Sequence, residues 1–312
     1  MKVVQDILNY QSKTKSILTI GTFDGVHVGH QKIIRALVEK AHEKKLLANI
    51  LTFFPHPRMV LQKDSQIKLI DTLSEKESAL RELRVDNLII HPFSKEFSRL
   101  TALEFTRDIL VDQLQVAELL IGHDHRFGRN REATVADLIN FGKIYNFEVN
   151  IIPAQDVSDI TVSSTKIRAA ITAGDFMKVE GFLGRSFRLN GTVTEGESVG
   201  RTIDFPTANL TIDSQHKIIP PQGVYLVKIT HNENQYFGMM NIGNRPTVNG
   251  NTQTIEVHIF NFDKNIYDES LTVHLIEKIR DEQKFESLDA LKTQLKKDKE
   301  ICKRSLTIKG WN

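Results

Sequence analysis

The chain has 312 residues, 40% hydrophobic and 26% charged, a profile that fits a globular protein of about two domains, each able to bury its own core. Its 41 Lys and Arg face 39 Asp and Glu with no basic block, which argues against a nucleic-acid tail and sends the search for ligands to local sites. The lone Cys302 excludes an internal disulfide framework and a cysteine-rich zinc centre, so a packed, inert thiol in a reducing cytoplasm is expected.

The opening Met-Lys-Val-Val-Gln-Asp is too soon interrupted by polar residues to be a signal-peptide core, and no apolar run approaches a membrane span. From there to Ile152, short apolar runs alternate with helical patterns. Ile17–Ile20, Leu47–Phe53, Asn87–His91, Ala117–Ile121 and Val149–Ile152 read as strands, and their lack of polar alternation suits strands covered on both faces. Ser74-Glu-Lys-Glu77 and Thr101-Ala-Leu-Glu104 read as capping boxes that open helices between them. The alternation predicts a doubly wound parallel sheet of Rossmann-like type, with ligands outside the carboxyl ends of the strands.

Directly after the first of these strands comes Gly21-Thr-Phe-Asp-Gly-Val-His27-Val-Gly-His30. Ile33, Ile34, Leu37, Val38 and Ala41 recur at helical spacing beyond it, so these ten residues read as a strand-to-helix turn. Gly21, Gly25 and Gly29 let backbone N–H groups approach an anion, and the free N–H groups of the first helical turn add donors. His27 and His30, three apart, share one face if the helix starts here and can reach the same polyphosphate.

Three further stretches fall at the same edge of the expected sheet. Thr52-Phe-Phe-Pro-His-Pro57 ends the second strand; it is either a proline-stiffened loop or part of a ligand pocket built by Pro55, His56 and Pro57. Gly122-His-Asp124-His-Arg-Phe-Gly128 follows the fourth strand. Val162-Ser163-Ser164-Thr165-Lys-Ile-Arg168 opens a helix with Ile167, Ala170 and Ile171 inward and Gly174 as its stop. Its hydroxyls and cations form a second anion cradle, although serine and threonine are also ordinary N-caps.

After Gly184 the period changes to two. Arg188–Glu195, Thr207–Ile212, Val224–Thr230, Gln235–Ile242, Gln253–Phe260 and Leu271–Lys278 predict a six-stranded antiparallel barrel, with a hairpin loop at His231-Asn-Glu-Asn234. A terminal helix presents Leu288, Leu291, Leu295 and Cys302 as one packing stripe. Within this half, Gly191, Gly196 and Gly200, with Arg201, lead to Phe205-Pro-Thr207-Ala-Asn209, a compact oxygen-rich set suited to phosphate and a hard cation. No Gly-x-x-x-x-Gly-Lys-Ser/Thr loop is present, so ATP use here is not of the P-loop kind. In Ile255-Glu256-Val-His258 the two polar side chains share one strand face, which by itself most often means a solvated face.

Taken together, these strings resemble a known family along nearly the whole chain. The first resembles the His-x-Gly-His signature of the nucleotidyltransferase superfamily, in the fuller Gly-x-Phe-Asp-Gly-Val-His-x-Gly-His form of its FAD synthetase branch. Thr52–Pro57, Gly122–Gly128 and Val162–Arg168 look like that branch's Thr-Phe-x-Pro-His-Pro, Gly-x-Asp-Phe-x-Phe-Gly and Ser-Ser-Thr-x-Ile-Arg. Gly200–Leu210, Asn241-Ile-Gly-Asn-Arg245-Pro-Thr247 and Ile255–His258 resemble the riboflavin kinase signature, its Asn-Ile-Gly-x-Arg-Pro-Thr loop and its Ile-Glu-x-His strand. The resemblance is to the bifunctional bacterial riboflavin kinase/FAD synthetases.

The resemblance implies a FAD synthetase domain at 1–182 and a riboflavin kinase domain at 183–312. It implies ATP and riboflavin giving FMN, then ATP and FMN giving FAD, with Mg2+ assisting. His27, His30 and the general base Glu256 are then the catalytic residues. Gly21, Phe23, Asp24, Gly29, Ser163, Ser164, Thr165, Arg168, Gly191, Gly200, Arg201, Thr207 and Asn209 are expected to hold nucleotide, with Thr207 and Asn209 on the metal. Pro55, His56, Pro57, Asp124, Arg245 and Arg280 are expected on the flavin. The partners expected are riboflavin, FMN and ATP, with at most weak self-association and neither nucleic acid nor membrane. Three departures stand out. His125 stands where the signature has an aromatic phenylalanine. Asp204 replaces a signature glycine, a handicap to nucleotide binding unless its side chain points to solvent, and Arg131-Glu-Ala-Thr lacks a glycine usual in its loop. An enzyme with an impaired kinase barrel, or a non-catalytic flavin or nucleotide sensor, are the alternative readings.

Overall fold

The computed structural model describes residues 1–62, 66–122, 126–152, 162–196, 200, 203–247 and 250–311, and within these not the side chains of 245–247 and 250–252. It forms two compact units, Met1–Ser164 and Thr165–Asn312. In the first, β1 (Lys2–Gln5), β2 (Ser16–Ile20), β3 (Leu47–Phe53), β4 (Asn87–His91), β5 (Val116–Gly122) and β6 (Glu148–Ile152) make one sheet in the order β1-β4-β3-β2-β5-β6. Every pairing in it is parallel. Successive residues of a strand face opposite sides, and here both sides are apolar. Leu18, Leu51, Ile89 and Leu119 enter the core on one face, and Ile17, Ile50, Leu88, Ile90 and Leu120 the core on the other.

From β2 the chain builds outward through β3 and β4, then returns to add β5 and β6 on the opposite side. The turn after β2 therefore lies at the switch point, where such sheets bind ligands. The four-residue edge strand β1 is too short to show a period and went unpredicted. The helices of this unit are α1 (Val28–Glu43), α2 (Pro57–Leu61), α3 (Leu73–Glu82), α4 (Ala102–Glu104), which widens to π geometry over Phe105–Gln113, and α5 (Val135–Tyr145). α1 buries Ile34, Leu37, Val38 and Ala41 on its apolar stripe. The Thr101–Glu104 capping box forms as expected, but the box of α3 is Thr72–Glu75 rather than Ser74–Glu77. Starting two residues earlier lets the fully buried Glu75 accept the Thr72 N–H at 2.8 Å, while the Ser74 hydroxyl turns to that of Thr72.

The second unit begins with α6 (Ser164–Ala173), whose first residue belongs to the first unit, and α7 (Phe176–Leu183). Ile167, Ala170 and Ile171 are the buried residues of α6, and Gly174 (φ 74°) ends it, both as expected. Then β7 (Phe187–Thr194), β8 (Ala208–Ile212), β9 (Gly223–His231), β10 (Asn234–Thr247), β11 (Gly250–Ile259) and β12 (Ser270–Arg280) close an antiparallel barrel in the order β10-β11-β8-β7-β12-β9. Closure leaves no open edge.

The terminal helix α8 (Leu288–Ile308) packs on β10 and β12. Leu291 and Leu295 follow the expected stripe, which continues through Asp298, Cys302 and Leu306. Leu288, the first helical residue, is 55% exposed and does not join it. The stripe carries a carboxylate because Asp298 accepts from Arg280 Nε (3.0 and 3.1 Å) and Nη2 (2.8 Å), a forked pair that satisfies the buried carboxylate. Burial pushes the Cys302 thiol up to about 12, so it stays protonated and packed.

Candidate active sites

The Gly21–His30 stretch forms the anticipated turn between β2 and α1, and the structure shows what holds it. Phe23 (φ 44°) and Val26 (φ 37°) sit in the left-handed region, which for a β-branched residue is strained. The turn is pinned on every side. Lys76 Nζ and Thr52 Oγ1 donate to the Thr22 carbonyl at 2.7 and 3.3 Å. The buried Asp24 carboxylate accepts the N–H groups of Ile70 (3.0 Å) and Asp71 (3.4 Å), and Gln31 Nε2 donates to the Val26 carbonyl at 2.9 Å. A side chain at Gly21 would press on the Phe23 ring, and one at Gly29 on the His27 ring.

His27 is the N-cap of α1; its Nδ1 accepts the His30 N–H at 3.3 Å, which fixes the neutral tautomer with hydrogen on Nε2. The rings of His27 and His30 stack with centroids 3.5 Å apart and 17° between planes, and His30 meets the Phe23 edge. Burial pulls His27 down to about 4; burial, then the charges of His27 and Lys76, hold His30 well below its usual range. At neutral pH both are uncharged. They can offer N–H donors to an anion lying over a helix N-terminus.

Ser164 Oγ donates to the Asp24 carbonyl at 2.9 Å, and Val162 Cγ1 lies 3.6 Å from where a Gly29 side chain would begin. Val162 and Ser164 thus adjoin the histidine turn; Ser163 is half-buried, and on α6 Thr165 is exposed and Arg168 half-buried. His56 caps α2 by accepting the Arg58 N–H at 3.2 Å, between exposed Pro55 and half-buried Pro57. Asp124 and His125 lie outside the described residues. In the following loop the left-handed positions fall on Gly128, Asn130 and Arg131, while Glu132 (φ −74°) needs no glycine. The departure at Arg131-Glu-Ala-Thr therefore puts no strain on Glu132, whereas Arg131 itself (φ 57°) holds a left-handed position that a glycine would take more easily.

In the barrel, Glu256 on β11 lies opposite Asn209 on β8 and Asn241 on β10. Thr207 Oγ1 donates to Glu256 Oε2 at 3.3 Å. Gly196 and Gly200 lie so close to Asn209 and to Phe205–Thr207 that a side chain at either would collide, and Gly191 touches the Thr211 carbonyl. Arg201 lies outside the described residues, and of Arg245 only the backbone in β10 is described. Buried His258 accepts no part in the cluster; its Nδ1–H donates to the Pro206 carbonyl at 2.8 Å and so holds the Phe205–Thr207 segment. Arg280, expected on flavin, has its guanidinium on Asp298 and over the Phe285 ring at 5.7 Å.

Asp204 answers the question left by the sequence. Its φ is 63°, a conformation natural to the glycine it replaces, and its side chain is 82% exposed and paired with Lys292 at 2.6 Å. The carboxylate points to solvent.

Two residues escaped the sequence reading. Glu282, just after β12, sits against Gly243 and Asn241, and burial followed by the charge of Glu256 pushes its carboxyl up. Lys76 is a buried lysine in the first turns of α3, where a cation opposes the helix dipole. That misplaced charge was the available signal.

A parallel domain with a histidine-bearing turn at its switch point, followed by a closed barrel with a Thr/Asn/Glu oxygen cluster, has the two-part build of a nucleotide-handling protein. Residues 9–166 match the FAD synthetase family and residues 183–306 the riboflavin kinase family, and the chain belongs to both. It is 39% identical over 92% of its length to a "Bifunctional riboflavin kinase/FMN adenylyltransferase" of Haemophilus influenzae, of which it covers 92%. It is 36% identical over 96% of each chain to the protein of that name from Escherichia coli K12. A crystal structure described as a macrolide-efflux protein from Streptococcus pneumoniae superimposes with a TM-score of 0.86 at 30% identity, covering 97% of this chain and 99% of that one. What this chain shares with it is the architecture. Among the described residues no helix is long and apolar enough to cross a membrane.

Proposed function

We propose that the chain phosphorylates riboflavin to FMN in its barrel and adenylylates FMN to FAD on its parallel domain, each with ATP. The observation that carries this is the assembly of two separate polar clusters in one chain: His27, His30 and Ser164 around one turn, and Asn209 and Glu256 on facing strands with Thr207 just before the first of them. In the first reaction the ribityl hydroxyl attacks the γ-phosphorus of ATP while Glu256 accepts its proton. In the second an FMN phosphate oxygen attacks the α-phosphorus, and the N–H donors of His27 and His30, with Gly21, Phe23, Asp24, Gly29 and the Ser163–Arg168 helix start, stabilise the departing pyrophosphate.

Thr207, Asn209 and Glu256 offer oxygen donors that fit a hard cation; Mg2+ held by Thr207 and Asn209 would supply charge neutralisation to the phosphates. Gly191, Gly200 and Arg201 complete the barrel's nucleotide site. Flavin falls to Pro55, His56, Pro57 and Asp124 in one unit and to Arg245 and Arg280 in the other. The working boundary is put at 182/183, beside the start of the riboflavin kinase match, although α7 packs on β7 and β12. With Asp204 turned to solvent, the impaired-barrel alternative loses its ground. Incubation with riboflavin and Mg·ATP, followed by chromatography, should show FMN and then FAD, with ADP and pyrophosphate released. Binding of flavin or nucleotide without any conversion would make the chain a sensor and overturn the reading.

A further inference from the structure

Beneath the Gly21–Val26 turn lies a charge that the chemistry above does not use. Lys76 is 5% exposed, and its ammonium donates to the Thr22 carbonyl at 2.7 Å. Burial holds the ammonium below the ordinary lysine range, and the charges of Asp24 and Asp71, 2% and 1% exposed, act against that shift. Local stability does not call for a cation here. A buried ammonium is costly even when paired, and in the first turns of α3 it opposes the dipole, so an apolar residue would serve the helix better. What the lysine serves is the turn: it ties down the carbonyl next to strained Phe23 and places positive charge below the site, where His30 feels it. Because both histidines are neutral, that charge does not come from them.

We propose that Lys76 is a positioning residue for FMN adenylylation, locking Thr22 and supplying a fixed positive charge under the phosphate-binding turn. The inference rests on the turn being the nucleotide site. Two variants test it. Lys76→Met removes the charge but leaves both Asp24 and Asp71 in place; Lys76→Met with Asp71→Asn restores the trio's formal charge to that of the parent while leaving no cation under Thr22.

Both should lose about 10²-fold in kcat for FAD formation from supplied FMN, with a smaller change in KM for ATP, because the field acts mainly on charge developing in the transition state. Riboflavin phosphorylation by the same molecules should stay at the parent rate, and the double variant should keep the parent's thermal unfolding profile. Return of the double variant to the parent rate would reduce Lys76 to a counter-ion and overturn the proposal, as would loss of the folded N-terminal domain in both variants. The underlying reading is tested apart: His27→Ala with His30→Ala making FAD at the parent rate would remove the site itself.

Discussion

At the scale of the residue, the N-cap histidine couples stability to pH. His27 has a folded pKa of about 4 against an ordinary 6.5, so folding favours its neutral form. The contribution is complete above about pH 6.5 and is lost as pH falls toward 4, amounting to about 3 kcal/mol at the acid end. His27→Asn keeps a good cap and has no such titration. Thermal melts between pH 7 and 4 should show the parent's N-terminal domain weakening more steeply than the variant's; parallel curves would refute the coupling. Asp204 gives a second, opposite kind of expectation. With its carboxylate in solvent on Lys292, Asp204→Gly should leave kinase turnover and ATP affinity unchanged. Stability should stay close to the parent's, since relief of a left-handed aspartate offsets the loss of an exposed ion pair. An increase in kinase activity would place the side chain back in the nucleotide loop.

Among the elements, the β9–β10 hairpin shows how backbone shape outranks composition. Asn232 (φ 46°) and Glu233 (φ 67°) form a two-residue turn with both centres left-handed, for which Asn-Gly is the favoured pair. Glu233→Gly should raise the barrel's thermal midpoint, by about 0.5–1 kcal/mol in stability, and an unchanged or lowered midpoint would show that the glutamate is unstrained. This turn, the strands of both sheets other than β1, and the His27–His30 juxtaposition were legible in the sequence because each follows from a local period or a short spacing. Other features were hidden because they depend on distant partners. The shift of a capping box to Thr72 follows from burial of Glu75, and the place of Asp298 on an apolar stripe from Arg280 on another element. Lys76 is meaningful only once Thr22 and Asp71 surround it. The strand reading Ile255–His258 gave the alternation correctly, yet only the fold separates Glu256, facing Thr207, from His258, which holds Pro206.

For the whole molecule, two units with their own cores predict two activities that fail independently. His27→Ala with His30→Ala should abolish FAD formation, by about 10²–10³ per lost donor, while FMN formation continues. Glu256→Gln should lower riboflavin phosphorylation by about 10²–10⁴ while supplied FMN is still converted to FAD. Product chromatography separates the cases, and a variant that lost both reactions at once would show that the units do not work separately. The second unit also carries a guard against its own misassembly. Asp298 lies one turn from Gln294 on one side and from Cys302 on the other. If α8 slid along the barrel by one turn, about 5.4 Å, an amide or a thiol would replace the carboxylate at the half-buried Arg280, and the buried Asp298 charge would lose its partner. A stripe made only of leucines would tolerate that slippage; this one docks its last helix in a single position.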